Sequence, residues 1–104
     1  MNISERFPHA YQFLASYFNP DWGEDYDEPE GVVAQFIKDA DCQSREDALS
    51  DLRQIIEEFD GADLNKVMLA IACFYSPERY RGVPMREWLE EVITELEQSL
   101  RQGN

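Results

Sequence analysis

The chain has 104 residues, a length typical of one domain, and 22 acidic against 9 basic side chains give it a net charge of −13 at pH 7. That charge argues against binding to nucleic acid or to an anionic membrane surface, because both depend on Lys and Arg neutralising phosphate. Hydrophobic residues make up 43% of the chain, which argues against disorder. We therefore expect residues 1–104 to form a single folded domain.

The N-terminal half predicts two helices, one on each side of an acidic stretch. We expect the first from about Phe7 to Phe18, because Pro8 suits a first helical turn and apolar residues follow at helical spacing. Pro29 suits the start of the second helix. Its apolar side chains recur on one face: Val32, Val33, Phe36, Ile37 and Ala40.

The third and fourth helices are predicted from a start signal and from an apolar run. Ser44, with Asp47 three residues later, approximates a capping box for the third helix. Gly61 suits the end of that helix. Residues 63–75 predict a fourth helix that is apolar on almost every side. We expect it to be the central and most buried element.

The last helix is predicted after a loop that spans residues 76–83. Pro84 suits its first turn, and an apolar stripe then continues to about Arg101. Since no strand is predicted, the fold class is all-α, a compact bundle of about five helices. The N-terminus lacks the apolar stretch of a signal peptide, and the apolar run 67–75 is too short to span a bilayer. We expect a cytoplasmic protein.

The most unusual feature is the acidic segment, residues 19–30. It contains six carboxylates and two aromatic residues but no Lys or Arg. A solvated loop that keeps the protein soluble would explain the charge. Trp22 and Tyr26 favour a contact surface instead, because exposed aromatic residues are costly and are typical of interface anchors. A positively charged partner would also relieve the repulsion among the carboxylates.

An EF-hand calcium loop does not fit the acidic segment. A loop that starts at Asp21 places Gly23, which has no side-chain oxygen, at the third ligand position. A loop that starts at Asp25 places Pro29 and Glu30 at the fifth and sixth positions, where an oxygen ligand and a glycine are required. We therefore expect neither a metal site nor a cofactor.

Catalysis is not expected either. His9 is the only histidine, and no nucleophile motif or glycine-rich phosphate loop accompanies it. Cys42 and Cys73 lack the spacing of a metal or redox motif. We interpret them as free thiols, with Cys73 inside the apolar fourth helix.

The chain offers one cluster of positive charge that could neutralise the acidic segment internally. Arg79, Arg81 and Arg86 lie in or just after the predicted loop 76–83. If they pair with the acidic segment, its negative surface is smaller than the composition indicates. The sequence leaves internal pairing and binding of a partner as alternatives.

The chain resembles the helical immunity proteins of bacterial contact-dependent growth inhibition systems (CdiI type). An aromatic-Pro start at Phe7 precedes a Tyr-Phe-x-x-Asp-Trp signature that ends at Trp22. The other matching residues lie further along the chain: Val32, Val33, Phe36 and Arg86 to Leu89. The similarity covers almost the whole chain, and the Tyr-Phe-x-x-Asp-Trp stretch is its distinctive part.

This resemblance implies an antidote that binds a cognate toxin domain, commonly a ribonuclease, in a one-to-one complex. A ribonuclease presents a basic cleft to RNA, and an acidic, aromatic surface could occupy that cleft. The residues expected to contact the toxin are Asp21, Trp22, Glu24, Asp25, Tyr26, Asp27 and Glu28. The alternative is an acidic adaptor or nucleic-acid mimic that binds another basic host protein.

Overall fold

The described part of the chain is almost entirely helical in the computed structural model, which describes residues 3–19, 21–25, 28–71, 73 and 75–102. These residues contain no strand, and the predicted all-α class is confirmed. The described helices are α1 (Ile3–Arg6), α2 (Pro8–Tyr17), α3 (Trp22–Asp25), α4 (Pro29–Asp39), α5 (Cys42–Glu58), α6 (Gly61–Ala70), α7 (Pro77–Arg81) and α8 (Met85–Arg101).

The predicted number of about five helices is wrong, because the described residues form eight. The additional helices are α1, α3 and α7, with four, four and five residues. A helix of one turn is too short to show the hydrophobic periodicity on which the prediction depended. Two of the three lie close to the acidic segment: α3 is inside it, and Tyr80 of α7 contacts the ring of Trp22.

The predicted starts of α2 and α4 are confirmed. Pro8 and Pro29 occupy the first turns of these helices, where a missing backbone N–H costs no hydrogen bond. Phe13 of α2 stacks on Phe36 of α4, with ring centroids 4.1 Å apart. The apolar faces that the sequence indicated therefore meet each other.

The cap of α5 lies one turn earlier than the sequence predicted. Asp41 is the N-cap, and its carboxylate accepts a hydrogen bond from the backbone N–H of Ser44 at 2.8 Å. This bond lowers the pKa of Asp41. The capping box proposed for Ser44 and Asp47 is wrong, since both residues lie inside the helix. Gly61, with a φ of +53°, begins α6 instead of ending α5.

The fourth predicted helix is shorter and less buried in the structure than expected. Helix α6 ends at Ala70, and Leu69 in its last turn is 69% exposed. Beyond the helix, Ile71, Cys73 and Tyr75 are all buried. These three residues fill part of the core beyond the end of the helix. Cys73 is buried as expected, but outside a helix.

The central element is the pair formed by α5 and α8, with α2 packed on the other side of α5. Helix α8 confirms the last predicted helix, and its N-cap is Pro84. Arg86 near the start of α8 reaches the end of α5, whereas Glu97 pairs with Arg53 further back, so the two helices are antiparallel. Among the described residues, no helix is long and apolar enough to cross a membrane.

Candidate binding surface

A turn at Asn19 starts the described part of the acidic segment. The Asn19 side chain donates to the carbonyl oxygen of Ser16 at 3.0 Å and accepts from the backbone N–H of Asp21 at 2.9 Å. Two further backbone bonds, from Trp22 to Asn19 and from Glu24 to Asp21, then form the short helix α3. Local hydrogen bonds of this kind are what Asn provides in turns.

The described carboxylates of the predicted site lie at the surface. The side chains of Asp21, Glu24 and Glu28 are exposed. Glu28 precedes α4, but its carboxylate makes no capping hydrogen bond. Asp25 contributes its backbone to α3, while its side chain, together with Tyr26 and Asp27, lies outside the described residues. Three of the seven predicted contact residues are therefore placed where a partner can reach them.

Trp22 faces inward and anchors the acidic segment. Its side chain is 8% exposed, and its ring lies edge-on to Phe18, Tyr75 and Tyr80 at centroid distances of 5.9, 5.4 and 5.8 Å. Such edge-to-face pairs add about 0.5–1.5 kcal/mol each beyond the burial of apolar area. The ring thereby fixes α3 against the body of the protein and holds the neighbouring carboxylates at the surface.

Two of the three clustered arginines, Arg81 and Arg86, form ion pairs with carboxylates outside the acidic segment. Arg81 pairs with Glu91 at 3.0 Å. Arg86 donates to the carbonyl oxygen of Ile56 at 2.6 Å and lies 4.0 Å from Asp60. Neither ion pair involves Asp21, Glu24 or Glu28, but the charge of Glu30, the last residue of the acidic segment, adds to the raised pKa of Arg81.

Within the part of the chain that the structure describes, no ion pair forms to Asp21, Glu24 or Glu28, and none forms to Arg79. The described carboxylates of the predicted site therefore keep their charge available to a partner.

Four residues that the site prediction left out lie beside this surface. Tyr80 is 62% exposed and stacks on Tyr75 with ring centroids 5.7 Å apart. Glu30, Glu91 and Glu95 are close enough together that the charges of the first two raise the pKa of Glu95, in addition to the larger effect of its partial burial. The spacing of four residues between Glu91 and Glu95 was a usable signal, because it places both on one face of a helix.

The other reactive side chains show no arrangement for catalysis among the described residues. Burial raises the pKa of the Cys73 thiol to about 12, whereas Cys42 is exposed at the start of α5. His9 lies 3.9 Å from Asp47 at the surface. Within the described ranges, no three His, Cys, Asp or Glu side chains are grouped so that they could hold a metal ion.

The fold and this surface define a small helical binding protein. Exposed carboxylates on an aromatic base can accept hydrogen bonds from Lys and Arg side chains of a partner. The chain belongs to the CdiI immunity protein family, whose model matches residues 6–96. The resemblance seen in the sequence is thereby confirmed. No curated protein and no solved structure matches the chain.

Family membership gives the protein its biological role. It is an immunity protein against a toxin of contact-dependent growth inhibition. Proteins of this kind are generally non-enzymatic and act by binding the cognate toxin. The surface described above is thus a candidate for the region that contacts the toxin.

Proposed function

We propose that this immunity protein neutralises a ribonuclease toxin by laying the acidic segment over the basic substrate cleft of the enzyme. The observation that carries the proposal is the exposure of Asp21, Glu24 and Glu28 without an internal ion pair among the described residues. A cleft that binds RNA must present Lys and Arg to phosphate groups. Carboxylates held at fixed positions can take the place of those phosphates.

In this proposal the acidic segment and its aromatic base have different tasks. Asp21, Glu24, Asp25, Asp27 and Glu28 pair with Lys and Arg of the toxin's C-terminal domain, which speeds association and selects the partner. Trp22 anchors the acidic segment to the core of the immunity protein, a role that its burial supports. Tyr26 packs at the centre of the contact with the toxin.

The complex contains one copy of each protein and forms in the cytoplasm, where a ribonuclease toxin meets its substrate. Residues 1–104 act as a single helical domain in it. The alternative, an acidic adaptor for another basic host protein, lacks an observation of its own.

The test measures binding and protection with the C-terminal domain of the exoprotein encoded immediately upstream. The double variant Asp21→Lys/Glu24→Lys should associate about tenfold more slowly at low salt, because electrostatic steering is lost. The wild-type rate should also fall as salt rises from about 0.05 to 0.5 M, since screening shortens the reach of surface charge. Ribonuclease activity of the toxin is measured on RNA with and without the immunity protein.

A matched control reverses two exposed carboxylates elsewhere, in the variant Glu5→Lys/Glu46→Lys. This variant has the same net charge as the test variant but an intact acidic segment. Equal rates for the two variants would remove the segment from the interface. A toxin domain without ribonuclease activity would contradict the proposed target.

A further inference from the structure

We propose, resting on the function proposed above, that the junction of α7 and α8 binds an arginine side chain of the toxin. The contact residues are Tyr80, Glu30, Glu91 and Glu95, here called the tyrosine–glutamate face. This face lies outside the seven residues expected from the sequence. It adds a second contact region next to the acidic segment, because Trp22 touches Tyr80.

Tyr80 gives the face a rigid aromatic ring that is open to solvent. The side chain is 62% exposed, yet its ring is held by Tyr75 at 5.7 Å with an interplanar angle of 27° and by Trp22 at 5.8 Å with an angle of 71°. A ring held in this way loses little conformational entropy on binding. A guanidinium group that stacks on such a ring gains cation–π attraction.

The carboxylates around Arg81, the residue that follows Tyr80 on α7, outnumber its single positive charge. Glu91 and Glu95 are four residues apart on α8 and so lie side by side. They line a surface depression whose complete lining is Glu87, Glu90, Glu91, Thr94 and Glu95. Arg81 pairs with Glu91 at 3.0 Å. Glu30 also contributes to the raised pKa of Arg81, after the larger effect of Glu91.

The raised pKa of Glu95 supports the same conclusion about charge. Partial burial is its largest cause, and the charges of Glu30 and Glu91 add to it. Among the described residues, Arg81 is the only guanidinium group in an ion pair with these carboxylates, which leaves them short of positive charge. An arginine from a partner would supply it.

A buried hydroxyl below the face gives a second, independent indication of a missing polar contact. Tyr75 is 2% exposed, and its hydroxyl oxygen has no hydrogen-bond partner among the described residues. Burial raises its pKa, and the charges of Glu30 and Glu91 reinforce that change. The guanidinium of Arg81 opposes it, both by its charge and as a donor near the hydroxyl. Buried polar groups without partners are rare in folded proteins and call for a structural explanation.

The complex would satisfy these groups by an exchange of partners. The toxin's arginine binds Glu91 and Glu95 with its guanidinium over Tyr80. Arg81, released from Glu91, then donates to the Tyr75 hydroxyl. That arrangement pairs Glu91, Glu95 and the Tyr75 hydroxyl, which is the condition for a buried charge pair to contribute to affinity.

The experiment compares Tyr80→Ala with Tyr11→Ala, a control at another exposed tyrosine, which is 40% exposed on α2. Binding is measured by surface plasmon resonance against the same upstream-encoded toxin domain. We expect the dissociation constant to rise about tenfold for Tyr80→Ala and to stay within about twofold for Tyr11→Ala. Tyr80→Phe keeps the ring and should bind like the wild type.

A second arm tests the charges, so that the conclusion does not depend on the fold of one variant. Glu95→Lys should slow association about threefold to tenfold at low salt, and Glu46→Lys on α5 should change it less than twofold. Circular dichroism checks that each variant is folded.

The outcomes separate this inference from the proposed function. If the wild type binds but both test variants match their controls, the tyrosine–glutamate face is not a contact and the immunity function stands. If only Asp21→Lys/Glu24→Lys is without effect, the acidic segment is not a contact and the present inference stands. If the wild-type chain does not bind the toxin domain, both proposals are overturned.

Discussion

The α5–α8 pair and the aromatic corner around Trp22 are built on different principles. In the pair, two antiparallel helices of 17 residues each bury mostly aliphatic side chains along regular stripes. The aromatic corner takes one ring from each of five places in the chain, most of them short or irregular segments: Phe18, Trp22, Tyr75, Tyr80 and Trp88.

The charges of the two regions differ as well. On the α5–α8 pair, Arg53 pairs with Glu97 and Arg86 binds a backbone carbonyl of α5. Beside the aromatic corner, Asp21, Glu24 and Glu28 have no ion pair among the described residues. The α5–α8 pair thus combines regular helix packing with charges that are paired internally. In the aromatic corner, large rings hold the short helices α3 and α7, which have no apolar stripe of their own. The unpaired carboxylates lie in and beside α3.

The largest expected effect tests whether stability resides in the α5–α8 pair. Leu52 in the middle of α5 is fully buried. Its replacement, Leu52→Ala, should lower the free energy of unfolding by about 2–5 kcal/mol, because a cavity remains in a well-packed site. Urea unfolding followed by circular dichroism measures the change.

Leu69→Ala is the matched control for this substitution. Leu69 is 69% exposed at the end of α6, and its truncation should stay within about 0.5 kcal/mol of the wild type. Toxin affinity of the folded fraction should be unchanged in both variants. An affinity loss in folded Leu52→Ala would contradict the separation of the two regions.

The long helices could be predicted from sequence because their information is local. Helix α8 shows its apolar stripe within 17 residues, and Pro8 and Pro29 mark the first turns of α2 and α4. The carboxylates of the candidate surface were also accessible to sequence reasoning, since a run of acidic residues remains at the surface in most folds.

The aromatic corner could not be predicted because its contacts join distant positions. Nothing near Tyr80 in the sequence indicates that Trp22 and Tyr75 hold its ring. The apolar run 63–75 looked like one helix because no residue in it signals an end at Ala70, and only tertiary packing sets that boundary. The cap at Asp41 was missed because Ser44, three residues later, offered an equally good signal.

A smaller effect is expected at the buried hydroxyl of the aromatic corner. Tyr75→Phe should raise the free energy of unfolding by about 1 kcal/mol, because the folded protein no longer buries a hydroxyl that lacks a partner among the described residues. The same substitution should weaken toxin binding, since Arg81 loses the group to which it donates in the complex. Urea unfolding and surface plasmon resonance measure the two effects.

Tyr80→Phe is the control for that substitution, because Tyr80 is exposed and its hydroxyl can bind water. It should leave both stability and affinity close to those of the wild type. A Tyr75→Phe protein that is less stable than the wild type would mean that the hydroxyl is already satisfied in the free protein.

The smallest expected effect concerns Glu95, where surface charge has a cost in stability. Because its pKa is raised in the folded protein, ionised Glu95 disfavours folding at neutral pH, and the cost disappears as the pH falls below the ordinary glutamate value of 4.5. Glu95→Gln should therefore increase the free energy of unfolding at pH 7, by at most about 0.5 kcal/mol because the side chain is partly solvated. The gain should vanish in urea titrations near pH 3, whereas Glu5→Gln on α1 should give no gain at either pH.

If Glu95→Gln is more stable but binds the toxin more slowly, the carboxylate contributes to binding and lowers the stability of the fold. A stability that is equal or lower at pH 7 would show that Glu95 already has a compensating cation.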